Sequence, residues 1–307
     1  MNSALINFLA KNVAFFTLII STYSCGNYDA EDHYNPRLNI IPTPSKVLTR
    51  GGVVTIADDL WVIVNVSDSI SSKIATVLVD KLVKLTNNQV LITDLFSTRK
   101  HKQSISLEIN EAILANEAYS LEITSAQISI KAGHAAGLNY GVESLLQILK
   151  QCYSDHLFTI PKMVISDNPK TKNRGVLVNQ NQLENEVTEE LLIEMAKLKL
   201  NSLIVYDYYE SKLNISRLAL KHNIKVLDAT DLPDGAMKFT LDTEKKKISG
   251  INIVNLNSEY MVLDISNSSP INSDLQLDIL SELSWSKPNF DSIEALNQWN
   301  LDYYLSN

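Results

Sequence analysis

Residues 117–149 read EAYSLEITSAQISIKAGHAAGLNYGVESLLQIL, and two periodicities meet inside this stretch. Tyr119, Leu121 and Ile123 alternate with polar residues, and Ile128 and Ile130 do the same after a short polar break. Period two on both sides of a break predicts a β-hairpin. Leu138, Val142, Leu145, Leu146 and Leu149 then recur at helical spacing and predict an amphipathic helix. A hairpin feeding a helix points to an α+β layer.

Upstream the same texture holds. Val53-Val54-Thr55-Ile56 and Trp61-Val62-Ile63-Val64 are β-branched runs, and Ile70, Ile74, Val77, Leu78, Leu82 and Leu85 form a helical stripe. Asp68 or Ser69 is placed to cap that helix, and Asn87-Asn88 to end it. Further strands are expected at 90–93 and 104–109. The first part is therefore expected to be an α+β domain over 36–169, with two helices on one face of a mostly antiparallel sheet. Pro161 to Pro169 reads as an extended connector.

Beyond it strands and helices alternate. Val176-Leu177-Val178, Ser202 to Tyr206 and Lys225-Val226-Leu227 predict strands, separated by helices over 189–199 and 213–222. This order implies parallel β/α units. A charged turn over 242–250, a strand over 260–263 and helices near 273–283 and 292–305 complete the second domain, 170–307. A closed eight-stranded barrel takes about 200 residues or more, so this stretch predicts a partial, TIM-like β/α barrel or a reduced β/α layer.

The net charge of −8 lacks the basic footprint that phosphate binding requires, which excludes nucleic acid as a partner. Two cysteines and five scattered histidines offer no metal-ligand spacing, so no metal or other cofactor is expected. Lys11 followed by the apolar run Val13 to Ile20 is too short to span a bilayer and suits a secretory signal over 1–25. Ser24-Cys25-Gly26 resembles a bacterial lipoprotein cleavage box, with Cys25 the lipidated residue and 29–32 an acidic tether. That order implies export across the inner membrane and attachment at the cell envelope. Plain secretion and an uncleaved anchor are the alternatives. Cys152 is then an unpaired, buried small hydrophobe.

Five phrases carry a resemblance to a known family. They are Ile40-Ile41-Pro42-Thr43-Pro44, the hairpin from Glu117 to Ile130, the helix from Gly137 to Gln147, Ile160-Pro161 with Ile165 to Pro169, and Arg174-Gly175. Their order and spacing resemble the accessory domain and first barrel strand of glycoside hydrolase family 20, the β-N-acetylhexosaminidases; family 84 shares a similar domain. The resemblance implies amino-sugar glycans as ligands, with Arg174 binding sugar hydroxyls and Trp285 walling the site. It places Asp207 and Glu210 at a strand end where a barrel keeps its chemistry, with Tyr206, Tyr208 and Tyr209 able to stack on a sugar. Each has a plainer reading: a salt bridge at the domain junction for Arg174, core packing for Trp285, a polar loop for Asp207 and Glu210, edge packing for the tyrosines.

The chain also departs from the family. The places of its acidic residue and Arg-His pair hold Asn179, Gln182 and Leu183. The only adjacent acidic pairs are Glu31-Asp32, Asp58-Asp59 and Glu189-Glu190, none in the setting of the family's catalytic Asp-Glu. Hydrolysis needs an acid of raised pKa beside the scissile bond, which a carboxylate elsewhere cannot replace. No catalytic residue is therefore assigned. Three readings stand: a degenerate hexosaminidase that binds amino-sugar glycans, an active one with a rearranged site, and a structural or partner-binding module.

Overall fold

The computed structural model describes residues 38–57, 60–97, 103–110, 115, 117–185, 189–206, 213–233, 236–242, 247–252, 260–264, 281, 284 and 285. Strands β1 (Lys46–Ala57), β2 (Trp61–Val64), β3 (Leu91–Asp94), β4 (Ser104–Ile109), β5 (Tyr119–Ile123), β6 (Ile128–Ala132), β7 (Tyr153–Ser154) and β8 (Leu157–Asp167) form the first sheet. Their order is β1-β8-β5-β6-β4-β2-β3, with β7 paired to β8.

The sheet is mixed, not mostly antiparallel. β1, β8, β5 and β6 run antiparallel to one another, whereas β6, β4, β2 and β3 are mutually parallel. The chain leaves β2 through helix α1 (Ser69–Thr86) and returns in the same direction, the crossover that a parallel pair requires. The expected connector is itself strand β8, central in the antiparallel half. Pro161 is tolerated there because it faces Val53 just beyond a bulge, at Gly51 and Gly52, whose φ angles are 67° and 71°.

Asp68 caps α1, accepting from the Ile70 N–H at 3.0 Å, and Asn87 closes it in the left-handed conformation. Ile74, Leu78 and Leu82 are buried under this helix, while Ile70 and Val77 of the expected stripe are exposed. Helix α2 (Ala135–Cys152) lies beside α1 and buries Leu138, Val142, Leu145 and Leu149. It sits close on the hairpin: a Cβ at Gly137 would fall 2.4 Å from the Ala118 carbonyl oxygen. Cys152 is buried and unpaired, and burial pushes its thiol up to about 11, so it stays a protonated apolar filler.

The second sheet has the order β11-β10-β9-β14-β12-β13. β9 (Asn173–Val178), β10 (Ser202–Val205), β11 (Lys225–Asp228), β12 (Met237–Asp242) and β14 (Tyr260–Asp264) are parallel; β13 (Lys247–Asn252) returns antiparallel to β12. Helices α3 (Gln180–Asn185), α4 (Glu189–Lys197) and α5 (Leu213–Lys221) belong to this half. Leu191, Leu192, Met195 and Ala219 join Val176, Val178, Leu203 and Val205 in one core. The parallel β/α layer is thus present. Among the described residues its strands follow a linear path ending at β11 and β13, so the barrel-like part of the expectation is not seen. Apart from Ser281, the two expected closing helices lie outside the described residues, as does the signal segment with Cys25.

Candidate functional site

The order of the second sheet singles out one position. From β9 the chain moves outward to β10 and β11, then crosses to β12 and returns to place β14 against β9. In open parallel sheets ligands bind outside the carboxyl ends of the strands where the order reverses, here between β9 and β14. Asn179 follows the end of β9, Tyr206 the end of β10, and Asp264 ends β14.

Asn179 is committed to the fold. Its Oδ1 accepts from the Gln182 N–H at 2.9 Å, and the Gln182 Oε1 accepts from the Asn179 N–H at 2.9 Å. This reciprocal cap starts α3. Leu183 is buried in the core shared with α4. Three places where the resemblance puts an acidic residue and an Arg-His pair therefore cap and fill.

Asp264 shares a sheet face with Leu177 and Ile204, its partners along the register. It is half-buried, and its charge, second to burial, raises the Tyr206 phenol above its usual range. The sequence reading ended this strand at Leu263 and missed Asp264; an acid directly after an apolar run was the available signal. Asp228 ends β11 but serves locally, accepting from the Thr230 N–H at 2.8 Å and its hydroxyl at 2.6 Å. Asp228 and Asp264 are three strand spacings apart, about 14 Å. Glycosidase carboxyl pairs stand about 5 to 9.5 Å apart, so these two cannot act as one. Asp207, Tyr208, Tyr209 and Glu210 lie outside the described residues.

Arg174 sits at the opposite, amino end of β9 and is wholly buried. Its guanidinium donates to both Glu117 carboxylate oxygens at 3.0 and 3.2 Å. It also donates to the Tyr140 hydroxyl at 3.1 Å and to the carbonyls of Lys199, Thr171 and Lys172 at 3.0, 2.6 and 3.2 Å. Every N–H of the fork thus meets protein, which is the junction role. Burial alone would raise the Glu117 carboxyl; Arg174, Asn201 and Tyr140 outweigh it and hold the group below the usual range.

A second buried pair lies alongside. Lys199 Nζ donates to Asp167 Oδ2 at 3.1 Å and to the Tyr119 hydroxyl at 3.0 Å. Tyr119 donates in turn to Asp167 Oδ2 at 2.8 Å, and Ser45 N–H and Trp285 Nε1–H donate to Oδ1 at 2.9 and 2.8 Å. Burial works against the Asp167 charge, but Lys199 and these donors outweigh it and depress its pKa. The Trp285 ring stands 4.5 Å from Lys199 Nζ, 5.1 Å from Arg174 Cζ and edge-on to Tyr140 at 5.3 Å. Trp285 is thus core, and it joins the two halves. Glu117, Asp167 and Lys199 carry no role legible in the sequence; Glu117 and Asp167 lie within the family-like stretches, but pairing with residues far along the chain has no local signature. No three metal-ligating side chains converge among the described residues.

Comparison with known proteins follows this geometry. Residues 37–168 match the family model of glycosyl hydrolase family 20, domain 2. The Beta-hexosaminidase subunit beta of Entamoeba histolytica is 27% identical over 93 residues, which are 30% of this chain and 16% of that protein. Among solved structures, the N-acetyl-beta-hexosaminidase of Streptomyces plicatus in complex with Thio-NAglucal superposes with a TM-score of 0.52 at 18% identity. It covers 63% of this chain and 46% of that one. The family 20 beta-N-acetylhexosaminidase of Streptomyces coelicolor gives 0.50 at 16%, covering 66% and 46%. These two likenesses concern the fold. The chain spans under half the length of each protein.

Proposed function

We propose, from the match of residues 37–168 to the family model of glycosyl hydrolase family 20, domain 2, that this chain is a non-hydrolytic hexosaminidase-like protein that binds N-acetylated amino-sugar glycans. The observation that carries the reading is the cap between Asn179 and Gln182 with Leu183 buried behind it. Groups that would face a sugar in a working site are committed to starting a helix. The surviving polar groups at the strand reversal, Asp264 and the half-exposed Tyr206, suit hydroxyl recognition and ring stacking, and Asp228, at the carboxyl end of β11, stands too far from Asp264 to pair with it.

The test is the purified chain with a chromogenic N-acetylglucosaminide and, separately, chitooligosaccharides in a calorimeter. The expected result is no turnover, and saturable binding that Asp264→Asn weakens about tenfold, one lost charged hydrogen bond, with its melt unchanged. Turnover abolished by Asp264→Asn would overturn the non-hydrolytic reading; absence of glycan binding by a chain with a cooperative melt would overturn the binding one and leave a partner-binding module.

The proposal places the protein at the cell envelope, held by a lipid on Cys25, on the order of residues 11–26. Expressed with its leader in a bacterium, the protein is expected to partition into detergent, and Cys25→Ser into the aqueous phase. Equal partitioning of both would remove the anchor from the proposal.

A further inference from the structure

A cleft of about 410 Å³ lies where α1 and α2 of the first half meet α4 of the second. Its wall is mainly carbon: Leu85 and Leu146 line it from α1 and α2, Leu198 from the end of α4, and Ile41 from the leading segment. Its polar groups are nearly all committed elsewhere. The Gln147 side chain exchanges two 2.8 Å hydrogen bonds with the Ile41 backbone. Lys81 pairs with Glu143 across the two helices, and Lys197 with Glu194 at 2.7 Å. Lys150 is the exception: it is exposed, lies in the last turn of α2, and makes no hydrogen bond or ion pair among the described residues.

An apolar trough with one cation uncompensated among the described residues at its rim selects an elongated apolar molecule with a single anionic head. The volume falls in the range of small-molecule sites, about 300 to 1,000 Å³. A neutral apolar ligand would leave Lys150 unused, and a compact anion would leave the leucines in water. We infer that the cleft between α1, α2 and α4 binds an acyl carboxylate, with Lys150 holding the head group and Leu85, Leu146 and Leu198 the chain. This site is separate from the strand-reversal site and does not depend on it. Because the ligand touches helices of both halves, its occupancy favours their packed arrangement, and stability is expected to rise with ligand concentration.

The probe is decanoate, below its micelle concentration, titrated into the full chain in a calorimeter. One saturable site per chain is expected, weakened at least tenfold by Lys150→Glu and lost in Leu146→Asp, with added salt weakening the wild-type affinity. Lys150 is exposed and Leu146 is partly buried against the first core, so each variant is compared with wild type only after it shows a cooperative melt. Absence of saturable binding overturns the site. Binding lost in Leu146→Asp but unchanged in Lys150→Glu overturns the anionic head, and binding unchanged in both places the molecule elsewhere.

Discussion

Lys199→Met is expected to lower the unfolding free energy by about 3–5 kcal/mol, because it strands the Asp167 carboxylate in the core without its cation. The ammonium and carboxylate are both wholly buried, so water cannot replace the lost partner. The double variant Lys199→Met with Asp167→Asn removes both charges and is expected to recover most of the loss, as buried ion pairs exchanged for neutral groups of similar volume often do. Urea unfolding at constant slope is the measurement. A single variant within about 1 kcal/mol of wild type, or a double variant no better than the single, would refute the pairing.

The carboxylates of the two pairs, Asp167 and Glu117, also shape the response to acid. The folded Asp167 and Glu117 carboxyls both titrate below their unfolded values. Their contribution is therefore complete above the unfolded carboxyl range, about pH 4, and is lost as pH falls through the depressed folded values. Stability is expected to be flat with respect to these groups from neutral pH to about 5 and to decline below it. Asp167→Asn removes one of the two titrations and is expected to flatten that acid limb.

Much of the fold could be read because it is written in local periodicity. The hairpin from Tyr119 to Ala132, the helix through Leu138 to Leu149 and the β/α alternation after Gly175 each follow from residues adjacent in sequence. Strand direction does not. Whether β4 runs with or against β6 depends on how β5 is threaded between β8 and β6, which no window of side chains encodes. Pro161 opens the stretch read as a connector, yet it lies within strand β8, where a bulge contributed by two glycines more than a hundred residues earlier accommodates it. The site divides in the same way. Asn179, Gln182 and Leu183 were recognisable as departures from the family pattern, but only the structure shows that they cap and fill. Asp264 gained its place at the strand reversal from sheet order, and Arg174 its role from Glu117, which is distant in sequence.

Trp285→Ala carries the second large effect, about 3–5 kcal/mol, the range for truncating a buried tryptophan. The ring fills the space between the two buried pairs, and its Nε1–H supports Asp167. Trp285→Phe keeps an aromatic face for Lys199 and Arg174 but removes that donor, so a smaller loss is expected, about 1.5–3 kcal/mol for a hydrogen bond to a charged group. The backbone around Trp285 holds the same place: Lys170 and Thr171 N–H groups donate to the Trp285 and Ser284 carbonyls at 3.0 and 3.2 Å, and the Ser281 hydroxyl donates to the Leu198 carbonyl at 2.7 Å. A tryptophan that walled a sugar site would show the opposite pattern. Its truncation would weaken glycan binding while leaving the urea midpoint near wild type. A Trp285→Ala chain with wild-type stability and no glycan binding would therefore move Trp285 from the junction to the ligand. The ordered loss from wild type through Trp285→Phe to Trp285→Ala, with glycan affinity retained wherever the chain is folded, assigns it to the clasp that joins the two sheets.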